Sequence, residues 1–227
     1  MADRLSGKRI LVTQATRYMG PATVELFQEE GGTVVADDSD LVDATACSQL
    51  VADAGRIDVL VANLASPNFS GTTVTDLDPA DWHKPFSLLV DPLHWLTQAV
   101  LPQMIEREEG KIVVYGSATA LRGLKTVAAY SAARAAQVGY VQAVGVEVAP
   151  HNVQVNLIAQ NYVENAEYYP PQLMDKPSFV ASLKRQVPAG RLGTAREDAM
   201  LALFLASGEC NFIVGQALPF AGGWVQR

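Results

Sequence analysis

Three side chains suited to proton transfer lie near the middle of the sequence: Ser117, Tyr130 and Arg134. Ser117 follows the apolar run 112–115, which predicts a buried strand with the serine at its carboxyl end. Tyr130 and Arg134 are four residues apart in an alanine-rich stretch that predicts a helix, so both project from one face. Tyrosine titrates at about pH 10, and an adjacent guanidinium, which stays protonated, favours the phenolate. The spacing predicts an acid–base site, although each residue alone would equally suit packing.

The opening of the chain predicts the fold that would position these groups. A strand over 8–13 is followed by a helix over 21–30, the stop signal Gly31-Gly32 and a strand over 33–37. This order is typical of an α/β fold with a doubly wound parallel sheet, and we predict one Rossmann-like domain over residues 1–227. The other predicted elements are strands over 59–63, 112–115, 153–158 and within 212–223, and helices over 41–54, 79–89, 92–108, 130–149, 177–186 and 194–206.

Composition and charge argue against several functional classes. The 227 residues carry a formal net charge of −7 without a basic stripe, which argues against nucleic-acid binding. No apolar run has the length of a membrane span, and the first residues lack the apolar core of a signal peptide. We therefore expect a cytoplasmic protein that does not bind membranes. The 2 cysteines and 3 histidines match no ligand spacing, so we expect no metal site.

The spacing of Ser117, Tyr130 and Arg134 resembles the catalytic signature of the short-chain dehydrogenases/reductases. Those enzymes normally carry lysine where this chain has Arg134. Arginine there, together with the loop pattern Thr-x4-Tyr-x-Gly over residues 13–20, resembles the halohydrin dehalogenases, and most closely their B-type subgroup. That branch uses the same fold without a nicotinamide cofactor. The resemblance covers essentially the whole chain, including Gly222-Gly223 after the last predicted strand.

The first loop departs from the glycine pattern of dinucleotide-binding relatives. Those relatives carry Thr-Gly-x-x-x-Gly-x-Gly, whereas Gln14 and Tyr18 replace the first two glycines here and only Gly20 is retained. A tyrosine at that place would project its ring into the space that the cofactor needs. The single helix predicted between Asp37 and Asp58 leaves no room for the extra strand that dehydrogenases usually have. We therefore expect a degenerate dinucleotide site, one strand fewer and no cofactor, with a divergent loop that still binds NAD(P) as the alternative.

The loop after the strand 153–158 is the predicted anion site. In halohydrin dehalogenases the matching loop binds the departing halide through backbone amides and through apolar or aromatic side chains. The resemblance implies that the amides of Tyr162 and Val163 do so here, and successive amides in a tight turn can form such a site. The alternative is a plain surface loop. The side chains assigned to the site by resemblance are Tyr18, Gln160, Asn161 and Tyr169, and Gln160 replaces a proline of some relatives.

The resemblance implies an activity: conversion of vicinal halohydrins to epoxides, and the reverse opening of epoxides by azide, cyanide, nitrite or halide. It implies that Tyr130 is the base, that Ser117 hydrogen-bonds the substrate oxygen and that Arg134 lowers the pKa of Tyr130. A divergent NAD(P)-dependent short-chain dehydrogenase/reductase and a catalytically silent scaffold of the same fold are the alternatives.

Two further expectations concern the pocket walls and the assembly. Position along the chain predicts pocket walls at Leu121, Val127 and Tyr168, and at Pro67 within the segment 67–69. The helices 92–108 and 130–149 are unusually apolar, and such helices either lie deep inside a domain or pack against another subunit. In the wider family they form a subunit interface, so we expect a homo-oligomer, usually a tetramer.

Overall fold

Strands and helices alternate through residues 3–68 and 70–226, the parts of the chain that the computed structural model describes. The strands are β1 (Arg9–Thr13), β2 (Thr33–Asp37), β3 (Val59–Asn63), β4 (Gly110–Tyr115), β5 (Val153–Gln160) and β6 (Ala217–Phe220). The helices are α1 (Gly20–Glu29), α2 (Ala44–Ala54), α3 (Pro79–Leu89), α4 (Asp91–Glu106), α5 (Ala128–Val148), α6 (Pro171–Met174), α7 (Pro177–Gln186) and α8 (Ala195–Ala206). The predicted α/β class is thereby confirmed.

All six strands of the described chain form one parallel sheet in the order β2-β1-β3-β4-β5-β6. The strand β2 is an edge strand, and only α2 lies between it and β3. The prediction of one strand fewer in this region is therefore confirmed. The strand order reverses between β1 and β3, and their carboxyl ends open the crevice in which parallel α/β folds bind ligands.

The sheet is buried on both faces because successive side chains of a strand point to opposite sides. Leu11 of β1 packs with residues of α2, α4 and α5 in one apolar cluster. Its neighbours Ile10 and Val12 pack with residues of α1 and α8 in the other cluster. The strands β3 and β4 are buried along their whole length, so they hold the loops at their carboxyl ends in fixed positions.

Some elements differ in length from the sequence prediction because strand pairing and capping decide their ends. The strand β4 begins at Gly110 rather than at residue 112, because Gly110 and Lys111 continue the ladder with β5. The strand β5 runs on to Gln160, which pairs with Phe220 of β6. The helix α2 begins only after Asp43, whose carboxylate accepts a hydrogen bond from the Ala46 amide. Within the described residues no helix is long and apolar enough to cross a membrane.

Candidate active site

A cavity of about 290 Å³ lies at the carboxyl ends of β1, β3, β4 and β5. Its walls come from the loops that follow these strands and from the first turns of α5. Ser117, Tyr130 and Arg134 all line it, so the fold brings the predicted trio together. A cavity of this size accommodates a small organic molecule, and its position is the one in which doubly wound sheets bind ligands.

Ser117 is held at the end of β4, where the chain turns out of the sheet. Its extended backbone places it at the start of a short 3₁₀ turn over Ala118–Ala120, and its side chain is 7% exposed. The Thr119 N–H donates to Ser117 Oγ at 3.3 Å, and the two hydroxyl oxygens are 3.0 Å apart. The hydroxyl of Ser117 is thus fixed by its own turn and faces the cavity.

Arg134 is buried beside Tyr130 and is oriented by backbone carbonyl groups. Its guanidinium donates to the carbonyl oxygen of Tyr115 at 2.9 Å, to that of Leu64 at 3.1 Å and to Gln137 Oε1 at 2.9 Å. The guanidinium carbon lies 5.1 Å from the centre of the Tyr130 ring. Among the described residues Arg134 forms no ion pair, so no carboxylate neutralises its charge. The positive charge of Arg134 therefore lies beside the Tyr130 ring without a neutralising partner among the described residues.

The loop between β1 and α1 keeps the backbone of a glycine-rich loop without its glycines. Gln14 has φ 45° and Tyr18 has φ 51°, which is the left-handed region that glycine favours. A Cβ atom at Gly20 would overlap the carbonyl oxygens of Gln14 and Ala15, which explains why this glycine alone is required. Asn63 stabilises the loop, because its Nδ2 donates to the carbonyl oxygens of Gln14 and Arg17, both at 3.0 Å.

Four successive amides of this loop, those of residues 15–18, already donate to acceptors within the chain. The Ala15 N–H donates to the carbonyl oxygen of Asp37 at 3.0 Å, and that of Arg17 to Gln14 at 3.1 Å. Two others bind carboxylates: the Thr16 N–H donates to Asp38 Oδ1 at 3.0 Å, and the Tyr18 N–H donates to Glu167 Oε1 at 3.2 Å. Asp38 is therefore bound to the loop and is not a free surface acid.

Aromatic rings fill the adjoining part of the crevice. The rings of Tyr18 and Tyr168 are 5.5 Å apart, and the Arg17 guanidinium covers the Tyr18 ring at 5.0 Å. The amides and the space that would bind a pyrophosphate are thus occupied by carboxylates and rings of the chain itself. The residues present do not fit a dinucleotide, since its phosphates would have to displace Glu167 and Asp38.

The loop after β5 forms the opposite wall of the cavity. Tyr162 has φ 57°, and its carbonyl oxygen accepts from the Gly193 N–H at 2.9 Å. Its own N–H donates to Asn161 Oδ1 at 2.9 Å, so one of the two amides predicted to bind an anion already has an acceptor. The Val163 N–H has no acceptor among the residues that the structure describes, and Val163 lines the cavity. This amide is a backbone donor at the cavity wall that is left unused by the described residues.

Burial raises the pKa of three tyrosine hydroxyls of this wall. Burial raises the pKa of Tyr168, and the neighbouring hydroxyl of Tyr130 raises it further. Burial likewise raises the pKa of Tyr169 and that of Tyr162, whose rings stack with centres 6.4 Å apart. The Tyr162 hydroxyl donates to Gln186 Oε1 at 2.8 Å and the Tyr168 hydroxyl to the carbonyl oxygen of Ser66 at 3.4 Å. Among the described residues the Tyr169 hydroxyl has no acceptor, and a neutral phenol can donate a hydrogen bond to an anion.

The structure brings most of the predicted site residues to the cavity and leaves two outside it. Pro67 and Leu121 are absent from its walls, where their near neighbours Asn68 and Leu124 take part instead, and Phe69 lies outside the described residues. The predicted residues that line the cavity, besides the trio, are Tyr18, Val127, Gln160, Asn161, Tyr162, Val163, Tyr168 and Tyr169.

Sequence reasoning missed Thr119 and Glu167. Both act through contacts that the residue types do not reveal, one within a turn and the other between loops 149 positions apart. The cysteines take no part in the site: Cys47 and Cys210 are buried and unpaired, and burial raises the pKa of the Cys47 thiol to about 11. The described residues contain no cluster of side chains that would bind a metal ion.

Comparisons with known proteins agree on the fold and divide on the chemistry. A family model described as enoyl-(acyl carrier protein) reductase matches residues 6–225. The chain is 31% identical to a 2-keto-3-deoxy-L-fuconate dehydrogenase of Xanthomonas campestris, over 97% of this chain and 81% of that protein. It is 29% identical to a 3-oxoacyl-(acyl-carrier-protein) reductase of Vibrio harveyi, over 96% of this chain and 98% of that protein.

A solved structure described as a dehalogenation enzyme is also similar. It superposes with a TM-score of 0.88 at 32% identity, and the match covers 98% of this chain and 100% of that one. The two sequence relatives are thus named as oxidoreductases, whereas this structural relative is named as a dehalogenation enzyme.

Proposed function

The chain belongs to the short-chain dehydrogenase/reductase superfamily, and we propose that it acts there without a nucleotide cofactor, as a halohydrin dehalogenase. Its reaction would convert a vicinal halohydrin to an epoxide, a halide ion and a proton. The single observation that carries the proposal is the closure of the dinucleotide crevice. Tyr18 and Tyr168 are in contact there, and Glu167 accepts the Tyr18 amide, while Ser117, Tyr130 and Arg134 remain open to the cavity.

Proton transfer is the first role assigned to the trio. Tyr130, as the phenolate, takes the proton of the substrate hydroxyl, and the unpaired guanidinium of Arg134 stabilises the phenolate before the transfer. Ser117 donates a hydrogen bond to the same substrate oxygen and orients it. Ser117 lies at the end of β4 and Tyr130 in the first turn of α5, so the sheet and the helix position both groups.

Ring closure follows within the substrate. The developing alkoxide attacks the adjacent carbon and forms the new carbon–oxygen bond, and the carbon–halogen bond breaks with its electron pair leaving on the halide. No hydride is transferred, so the step balances without an oxidant or reductant. The halide departs toward the Val163 amide and the Tyr169 hydroxyl, whose donors stabilise the charge that develops on it.

The remaining assignments of the halide side follow from the cavity walls. We assign Tyr18, Gln160, Asn161, Tyr162, Val163 and Tyr169 to the site of the halide or of another small anion. In the reverse direction, Tyr130 protonates the epoxide oxygen while azide, cyanide or nitrite attacks from this site. Val127 and Tyr168 contact the rest of the substrate.

A divergent NAD(P)-dependent reductase is the second candidate, and the family model and the names of the curated relatives favour it. Such a reductase would use the same Ser117, Tyr130 and Arg134, but Tyr130 would protonate the oxygen of a carbonyl substrate. It would require the Glu167 and Tyr168 contacts to open so that a dinucleotide could enter.

The test is the product balance of a reaction with a small bromoalcohol. We expect epoxide and bromide in equal amounts together with acidification, and formation of an azidoalcohol when the epoxide and azide are supplied. The second candidate predicts instead consumption of NADPH with 3-oxoacyl thioesters and no bromide. A homotetramer formed through α4 and α5 remains a further prediction, which light scattering would check.

A further inference from the structure

Among the described residues, the hydroxyl of Thr119 forms its one hydrogen bond with Ser117. Its N–H donates to Ser117 Oγ at 3.3 Å, and its hydroxyl oxygen lies 3.0 Å from the same atom. Among the described residues the Thr119 hydroxyl has no other hydrogen-bond partner, although it lines the cavity. Nothing in the fold therefore competes with Ser117 for the Thr119 proton.

These two contacts decide what Ser117 can offer to a ligand. A hydroxyl group has one proton to donate and two lone pairs with which to accept. The Thr119 N–H occupies one lone pair. If the Thr119 hydroxyl donates to the second lone pair, the Ser117 proton is the one group left, and it faces the cavity.

The opposite orientation would oppose the reaction. If Ser117 donated to Thr119, a lone pair of Ser117 would face the substrate oxygen just as negative charge develops on it. Both hydroxyls rotate freely about their carbon–oxygen bonds, so the pair adopts the orientation that the charge favours. A donor that itself accepts a hydrogen bond is polarised and becomes a stronger donor.

We propose that Thr119 is a positioning residue that directs the Ser117 proton toward the substrate oxygen. The inference rests on the proposed function, because that reaction places a developing alkoxide at Ser117. Thr119 acts through Ser117 and takes no proton from the substrate. Its contribution is greatest when the charge on the oxygen is greatest, so it lowers the barrier more than it strengthens substrate binding.

The experiment compares Thr119→Val with Thr119→Ser in bromide release from a bromoalcohol. Valine keeps the shape and the backbone N–H but removes the hydroxyl. We expect kcat to fall about five-fold, the effect of one neutral hydrogen bond, with KM nearly unchanged. Serine should restore most of kcat. Thr45→Val, at an exposed position of α2, is the matched control and should behave as the wild type.

A double-mutant cycle with Ser117→Ala shows whether Thr119 acts through Ser117. We expect Thr119→Val to have no additional effect once Ser117 is alanine. An undiminished kcat in Thr119→Val, or equal losses with and without Ser117, would overturn this inference while leaving the dehalogenase function intact. Failure of the wild type to release bromide from any halohydrin would overturn the proposed function and the inference together.

Discussion

The two sides of the cavity differ in how far they keep the superfamily pattern. On the β4–α5 side, Ser117, Tyr130 and a cation four residues later retain the usual spacing. On the β1–α1 side, two glycines are replaced, yet Gln14 and Tyr18 keep the left-handed backbone that glycines would adopt. The loop between β1 and α1 therefore keeps the backbone conformation of a nucleotide-binding loop. Two of its amides donate to carboxylates of the chain itself, and tyrosine rings fill the space beside it.

This difference separates two functions that are combined in dehydrogenases. In the proposed function the β4–α5 side moves a proton at an oxygen atom, which suits an alcohol, a carbonyl or a halohydrin equally. The opposite side would then determine which group leaves the neighbouring carbon. Because Glu167 joins the loop after β5 to the loop after β1, closing the nucleotide crevice also orders the loop that carries the free Val163 amide.

Of the variants, Tyr130→Phe on the β4–α5 side should lower the rate of bromide release most. The substitution removes the base and keeps the ring under Arg134, so bromide release should fall by about 10³-fold. Bromide binding should change little, because the anion donors lie across the cavity. The measurement is initial bromide release together with a bromide titration of the variant. Retention of more than about a tenth of the activity would reject Tyr130 as the base.

On the β1–α1 side of the cavity, Glu167→Ala should weaken bromide binding by a smaller factor. Loss of the hydrogen bond to the Tyr18 amide and of the ion pair with Arg17 should loosen the loop after β5. We expect the inhibition constant for bromide to rise about five-fold, with a smaller change in kcat. Glu164→Ala, in the same loop, is the control for removing a carboxylate. Equal effects of the two variants would show that charge alone, and not the contact with Tyr18, is responsible.

The pH dependence of bromide binding tests the tyrosines of the anion wall. Burial raises the pKa of Tyr169 in the anion site and that of the adjacent Tyr168, so both stay neutral where an ordinary tyrosine ionises, at about pH 10. In the variant Tyr130→Phe, which removes the proposed base from the same cavity, bromide affinity should therefore stay constant from neutral pH to about pH 10. The same shift makes folding stability constant below that pH and lower above it, because the unfolded chain ionises first. A steady loss of affinity on approach to pH 10 would contradict neutral tyrosines.

The smallest effect is expected on stability, from the substitution Gln14→Gly, which places the glycine of the dinucleotide-binding pattern in the loop between β1 and α1. Glycine would relieve the left-handed backbone and remove a buried Oε1 that has no partner, and we expect the free energy of unfolding to rise by about 0.5–1 kcal/mol. Urea denaturation measures it. The same change in a right-handed helix, Gln49→Gly in α2, should destabilise by a similar amount. Destabilisation in both variants would mean that the left-handed conformation at Gln14 carries no strain.

The fold and the members of the site were largely predictable from the sequence, for physical reasons. Apolar runs such as 59–63 mark strands buried on both faces, and the four-residue spacing of Tyr130 and Arg134 puts both side chains on one helix face. The glycine pattern also located the altered loop, because only glycine fits at Gly20.

The partners of these residues could not be predicted, because they depend on contacts between distant loops. Sequence alone could not show that Glu167 would accept the Tyr18 amide, or that Asn161 would take the Tyr162 amide predicted for halide. Position along the chain placed Pro67 and Leu121 in the pocket, but the turns after β3 and β4 present Asn68 and Leu124 instead. A shift of one to three residues in a turn redirects a side chain, and no periodicity constrains it.

The most direct test is bromide release from one bromoalcohol by protein freed of nucleotide, measured with and without added NADH or NADPH. The proposed function predicts equal rates in all samples, one proton released for each bromide, and no change in dinucleotide absorbance. Release that requires a dinucleotide, or its oxidation without any bromide, would show that the crevice opens to a cofactor and would contradict the account.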